Sequence, residues 1–306
     1  MLQDRIVFVN GEFISWNKAT VHIMSHSFSR GSAIFEVLSI HDTPFGPAAF
    51  RLDEHIDRLS RTAKLLDFKL PLSLGEISQV VLETVQRNTV TGGFIKIMAY
   101  FPQIVFSVAP PDNFLDLFVC VVDPEKDLGD PGVSFEKGCT ACLSKWRKLD
   151  PQTVPIEAKA SANYLNGMMA KVEALKRGFD NAIMLDTQGF IAESSIDAVF
   201  FVKDGRLMTS SLGTVLESVS RKSILQLADI FDIDSFEGRL RPQLIYEADE
   251  IFLSGTLMKI RPVKKIEERV LTETPGPMAK RLAVIMNDIL SGKDVRFKDW
   301  LFLTGK

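Results

Sequence analysis

Val154-Pro155-Ile156-Glu157-Ala158-Lys159-Ala160-Ser161-Ala162-Asn163-Tyr164-Leu165 is the stretch on which the fold turns. One lysine stands at the mouth of a helix expected over roughly 161–177. Taken alone, Lys159 reads as a solvated surface lysine. Amid small residues it can also be held in a pocket where its amine loses its proton, the state a Schiff-base lysine needs. Within the helix, Leu165, Met168, Val172 and Leu175 recur at helical spacing and are expected to face the core.

Downstream, strands are expected at 181–186 and 190–193 around the turn Thr187-Gln188-Gly189. Glu193 ends the second of them, where a carboxylate is usually a solvated tip or a cap for the residues after it. A hairpin over 198–202 and 206–209 turns at Asp204-Gly205. In 217–224, ESVSRKSI, the hydroxyls of Ser218 and Ser220 precede a helix over 219–231 with Ile224, Leu227, Ala228 and Phe231 inward. Free N–H groups and the dipole at such a start can hold a phosphate, and ordinary N-capping explains the same residues. A strand at 250–254 and a helix at 276–290 complete this half.

Upstream lie a strand near 139–144 and, before it, the polar, Pro- and Gly-rich segment 123–132. The N-terminal part opens on a hairpin, 5–9 and 12–14 about Asn10-Gly11. Helices are expected over 53–67, with Asp53 as N-cap, and over 73–88, with strands at 94–101 and 115–122. Both halves mix hairpins and helices without regular βαβ alternation. The expected architecture is α+β: a small N-terminal domain at 1–122, an interdomain loop at 123–132 and a larger C-terminal domain at 133–306.

The chain has 306 residues, 46% hydrophobic and 25% charged, enough to bury a core without disulfide or metal staples. With 36 basic and 39 acidic residues the net charge is −3, which argues against nucleic acid or an anionic membrane as the main partner. MLQDRIVFVNGEF lacks the basic stretch and long apolar run of a signal peptide, and the longest apolar runs, such as 117–122, are too short to span a bilayer. Cys120, Cys139 and Cys142 form no disulfide framework, so a cytoplasmic location is expected. Cys139 and Cys142 have a redox spacing, but strand residues three apart face opposite sides. His22 and His26 lack the neighbouring Glu and the third ligand of a zinc site, and no metal is expected. No Gly-x-Gly-x-x-Gly or Walker loop is present.

Together these segments resemble the fold-type IV pyridoxal-phosphate enzymes (the D-amino acid aminotransferase-like fold), and most closely the branched-chain amino acid aminotransferases. The resemblance runs through FVNGEF at 8–13, VHIMSH at 21–26, GSAIFE at 31–36 and FRLDEHIDRL at 50–59. It continues through VPIEAKASANYL at 154–165, GFIAES at 189–194, VKDG at 202–205 and FLSGT at 252–256. It implies transamination between an amino donor and a 2-oxo acid acceptor, with pyridoxal 5'-phosphate as cofactor and a homodimer as the assembly. The active site would lie between the domains.

Lys159 then matches the Schiff-base lysine, and Tyr164 the tyrosine on the cofactor's phenolic oxygen. Glu193 matches the carboxylate facing the pyridine nitrogen. Arg58, Val219 and Ser220 match the phosphate contacts, and Thr256 a phosphate and substrate-side contact. The substrate side departs from the family. Arg30 replaces a tyrosine, Phe35-Glu36-Val37 a Phe-Glu-Gly, Phe94-Ile95-Lys96 a Tyr-x-Arg, and Thr256-Leu257-Met258 a Thr-Ala-Ala. Arg30, Phe35, Phe94, Lys96 and Leu257 are therefore the candidate substrate residues. Arg30 or Lys96 would take a substrate carboxylate, unless Arg30 points to solvent or pairs with Glu36. Branched-chain amino acids with 2-oxoglutarate are the implied substrates. On the same fold stand D-amino acid or R-selective amine aminotransferases and aminodeoxychorismate lyases. A non-catalytic binding protein on this scaffold is opposed by the joint presence of Lys159, Tyr164, Glu193 and Arg58.

Overall fold

The computed structural model describes residues 1–130, 132 and 134–305. Pro131, in the expected interdomain loop, and Val133, the first residue of the expected C-terminal domain, lie outside the described residues. The chain divides into two units, one comprising 1–132, 158–162 and 287–306, the other 133–157 and 163–286. The first unit is thus not continuous in sequence. The residues 287–306, which the sequence assigns to the C-terminal domain, belong to it, because Leu301–Leu303 pairs antiparallel with Ala48–Phe50.

The sheet of the first unit runs in the order Leu301–Leu303, Ala48–Phe50, Ile34–His41, Gly93–Tyr100, Asp116–Val122, Ile6–Val9, Glu12–Ser15. Asn10, with a positive φ of 44°, and Gly11 make the expected hairpin turn between the last two. The helices Leu52–Leu65 and Leu74–Asn88 cover one face, and Leu38, Ile56, Leu59, Ile77, Val81, Ile95 and Ile97 form the core between. Ser73 caps the second helix in a capping box with Glu76. Asp53 does not cap the first. Arg51 takes that position at φ 51°, its guanidinium bonded to Glu54 and lying 4.4 Å from the Trp300 ring centroid. Asp53 lies one residue inside the helix, where its charge still favours the N-terminal end of the dipole. The sequence reading includes no strand at 34–41. A run buried on one face and half-buried on the other lacks the clean alternation that marks a strand.

The second sheet runs Ser235–Gly238, Arg206–Ser210, Ala198–Lys203, Glu250–Ser254, Arg261–Ile266, Cys139–Arg147, Asn181–Leu185, Ile191–Ser194, with Arg269–Val270 beside Arg261–Ile266. Cys139 and Cys142 sit in different core clusters, and burial pushes both thiols up to about 11. Neither suits thiolate chemistry. Residues 161–163 form a 3-10 turn, and the α-helix runs Tyr164–Lys176. Here the expected inward face is reversed. Leu165, Met168, Val172 and Leu175 are exposed, and Gly167, Ala170 and Ala174 face inward. At Gly167 a Cβ would stand 2.0 Å from the Ser195 carbonyl oxygen, so the helix approaches the chain there more closely than any side chain permits.

Candidate active site

In the first unit, the segment carrying Lys159 is stitched to the start of the Ile34–His41 strand. Phe35 N–H donates to the Lys159 carbonyl (3.1 Å) and Ser161 N–H to the Ala33 carbonyl (2.8 Å), while Lys159 N–H donates to Thr62 Oγ1 (3.1 Å). Lys159 is only 9% exposed, and its Nζ lies 4.9 Å from the Phe35 ring centroid. This is a lysine in a fixed, nearly dry place, not the solvated one that its sequence alone suggests. Lys96 Nζ lies 5.6 Å from the same ring, so Phe35 has two cationic side chains at hand.

Arg58 is buried on the Leu52–Leu65 helix, and its Nε and Nη2 donate to the two Glu36 oxygens at 2.7 Å each. His55 Nδ1 lies 2.7 Å from Glu36 Oε2. Burial raises the Glu36 carboxyl, but Arg58 and His55 outweigh that and hold it down at about 2. Arg30 does not pair with Glu36. It is exposed, and its Nη2 donates to the Phe106 carbonyl (3.3 Å). Phe94 packs with Val7, Cys120 and Val122 in a small cluster. His26 is buried and bonded to Ser32 Oγ and the Val108 carbonyl, both at 2.9 Å. No His, Cys, Asp or Glu group fit to hold a metal is found among the described residues.

In the second unit, Tyr164 opens its helix and Glu193 lies in the Ile191–Ser194 strand, buried and ion-paired with Lys148 Nζ. The Val219–Ile230 helix begins at Ser218, whose side chain accepts from Arg221 N–H at 3.3 Å. The N–H groups of Val219 and Ser220 sit in the first turn, where a helix offers them no carbonyl. Ser220 Oγ donates to the Gly255 carbonyl at 3.0 Å, so its hydroxyl ties the helix start to the turn that carries Thr256. Leu257 is exposed at the tip of that turn. Next along, Lys259 is buried, its Nζ donating to the Thr256 carbonyl at 2.8 Å, and burial lowers its amine to about 7.

Within the first unit, the structure gathers Lys159, Phe35 and Lys96 about one ring; within the second, Val219, Ser220 and Thr256 about one turn. Arg30 and Phe94 are not drawn into either group. The sequence reading misses the Glu36–His55 support of Arg58, the Lys148 partner of Glu193, and Lys259. His55 and Arg58 stand three apart on one helix face, and that spacing is the available signal. Lys148 and Lys259 carry none, because their partners are distant or main-chain.

Residues 33–266 match the amino-transferase class IV family. The branched-chain-amino-acid aminotransferase of Escherichia coli (strain K12) is 31% identical over 298 residues, covering 96% of each chain. The crystal structure of the branched-chain aminotransferase of Thermoproteus uzoniensis with norvaline superposes with a TM-score of 0.92 at 30% identity, over 98% of this chain and 99% of that one. The branched-chain amino acid aminotransferase of Thermobaculum terrenum, in its PLP-bound holo form, gives 0.91 at 28% identity and covers 100% of both chains. The chain belongs to the class IV aminotransferases, the fold-type IV pyridoxal-phosphate enzymes, and has their two-domain α+β fold.

Proposed function

We propose that this aminotransferase moves amino groups between branched-chain amino acids and 2-oxoglutarate, as a cytoplasmic homodimer with pyridoxal 5'-phosphate joined to Lys159. The observation that carries the reading is Lys159 itself, a buried lysine whose main-chain N–H and carbonyl are both hydrogen-bonded. The other residues suit the same cofactor. Val219 and Ser220 would give N–H groups to its phosphate, with Arg58 adding charge. Glu193 would accept from the pyridine nitrogen, and Tyr164 would bond the phenolic oxygen. Thr256 would take a further anionic oxygen. When bound, the cofactor supplies an electrophilic carbon and a ring that accepts an electron pair. Lys159 Nζ, displaced by the substrate amine, would move the proton at the substrate Cα. Donor and acceptor would use the site in turn.

For substrate choice, Phe35 and Val37 are half-buried on one face of their strand and suit an aliphatic side chain. Lys96, near Phe35 and Lys159 by ring distance, supports a carboxylate role better than Arg30 does, since Arg30 is exposed and bonded to a carbonyl. Val37, Leu257 and Met258 fill more space than the Gly and Ala they replace, so activity on leucine and isoleucine should fall below the family norm. Among the described residues no helix is long and apolar enough to cross a membrane. The buried free thiols Cys120, Cys139 and Cys142 support a reducing compartment. Ile104, Phe106 and Val108, the last two more than 80% exposed, support a second copy as the partner.

The test is a panel of both enantiomers of leucine and alanine, an arylalkyl amine and acidic donors, with light scattering for the dimer. Lys159→Ala should lose turnover and the visible absorption of the lysine-bound cofactor while keeping its fold. Wild-type turnover in that variant would refute the assignment. Turnover confined to D-amino acids or the amine would refute the substrate class but not the chemistry.

A further inference from the structure

The turn after the Glu250–Ser254 strand is fixed by four separate contacts. Gly255 N–H donates to the Met258 carbonyl at 3.2 Å and closes it. Ser220 Oγ holds the Gly255 carbonyl at 3.0 Å, and Lys259 Nζ holds the Thr256 carbonyl at 2.8 Å. Behind Gly255 a Cβ would meet Asp197 Oδ1 at 2.0 Å, so the main chain lies directly against that side chain. Two successive carbonyls are thus turned toward side chains of this unit. In a trans peptide the N–H points opposite to the C=O. Holding the Gly255 and Thr256 carbonyls therefore aims the N–H groups of Thr256 and Leu257 the other way.

Lys259 is the unusual member. It is 7% exposed, and a buried amine costs free energy that an apolar side chain would not. Its lowered proton affinity agrees with the burial. Its bond reaches back three residues to the Thr256 carbonyl, so the side chain acts on the conformation of the turn itself.

We propose that Lys259 is a positioning residue, whose bond to the Thr256 carbonyl sets the Ser254–Lys259 turn so that Thr256 and the Leu257 N–H meet an anionic oxygen. That oxygen belongs to the cofactor phosphate or to a substrate carboxylate. The proposal rests on the function proposed above, which assigns Thr256 to such a contact.

The test compares the full chain with Lys259→Met, which removes the donor, and Lys259→Gln, which keeps one. Three quantities are read: amide hydrogen exchange over 254–260, pyridoxal-phosphate affinity of the apo protein, and KM for donor and 2-oxo acid at saturating cofactor. Lys259→Met should melt no lower than wild type, exchange faster at Leu257 and Met258, and lose about tenfold in one affinity, as expected for a lost bond to a charged group. Lys259→Gln should recover part of both losses. A weaker cofactor with unchanged KM assigns the phosphate, and a raised KM with unchanged cofactor affinity assigns the carboxylate. Unchanged exchange over the turn overturns the proposal, as does equal loss in both variants with a lowered melting temperature. If Lys259→Met does not fold, a partial rise in exchange over the turn together with a partial loss of one affinity in Lys259→Gln supports the positioning role, and wild-type exchange there overturns it. An inactive wild type whose turn still loosens in Lys259→Met would refute the proposed function and leave the clamp standing.

Discussion

Glu36 shows how much one buried side chain decides. It is fully enclosed, accepts two hydrogen bonds from Arg58, and is bonded to His55. Removing one member of such a group strands the others, at a cost of about 3–5 kcal/mol. Glu36→Gln should therefore lose stability of that order at pH 7 in urea unfolding. It should also weaken cofactor retention, because the Arg58 guanidinium would lose its two-pronged carboxylate contact. The pH dependence has a definite sign. In the folded chain the carboxyl is ionised down to about 2, against an ordinary value of 4.5, so between these the unfolded chain binds more protons. The stabilisation is whole above about 4.5 and is lost as pH falls toward 2. Below about pH 5 the gap between wild type and Glu36→Gln should narrow as pH falls toward 2, and a gap that widened over that range would contradict the pairing. Lys159, Tyr164 and Ser220 are candidates because the stretches around them resemble a family; the local sequence alone suggests a surface lysine and an ordinary N-cap. Glu36 and Lys148 are not marked, because each acquires its meaning from a partner that only folding brings near, and Lys259 is not, because it bonds a main-chain carbonyl.

The Tyr164–Lys176 helix gives the matching lesson for elements. Its periodicity correctly announces a helix, but points to the wrong side of it as buried. Large apolar residues at 165, 168, 172 and 175 and small ones at 167, 170 and 174 repeat at the same spacing. Apolar periodicity identifies the helix without choosing between two apolar faces. Contact distance chooses, since small residues let the backbone come in where leucines would hold it off. This predicts opposite signs for two Gly→Ala changes that propensity alone would score alike. At Gly167 the new Cβ would stand 2.0 Å from a main-chain oxygen and 3.1 Å from its carbon, so the helix must shift. Gly167→Ala should cost about 1–3 kcal/mol despite its better helix propensity. Gly75, in the Leu74–Asn88 helix, has nothing within 4 Å, and Gly75→Ala should gain roughly 0.4–1 kcal/mol. Thermal melting of the pair measures both, and a stabilised Gly167→Ala would show that the helix does not sit this close.

At the scale of the molecule, each unit has its own sheet, yet the chain enters the first one three times. The hairpin and helices that open it are legible from turn residues and periodicity. Its closing edge is not, because the three-residue strand Leu301–Leu303 is too short to carry a pattern, and its partner lies some 250 residues earlier. What fastens that edge is aromatic. The Trp300 carbonyl accepts from Arg51 N–H at 2.7 Å, and its ring packs edge-on to Phe50 at 6.0 Å and to Phe297 at 4.8 Å. The Arg51 guanidinium lies over the same ring, and Arg51 itself is held at positive φ, which costs on the order of 1 kcal/mol and needs such support. Trp300→Ala would remove the ring contacts together, a loss of about 2 kcal/mol for a half-buried aromatic with a cation beside it. The damage should be regional. Hydrogen exchange should rise over 48–65 and 297–303, which share the ring, while the Ala198–Lys203 and Glu250–Ser254 strands of the other sheet keep their protection. A uniform rise over both sheets would mean that the C-terminal strand supports the whole chain and not one unit. No change at 48–65 would mean that the main-chain pairing alone holds the edge.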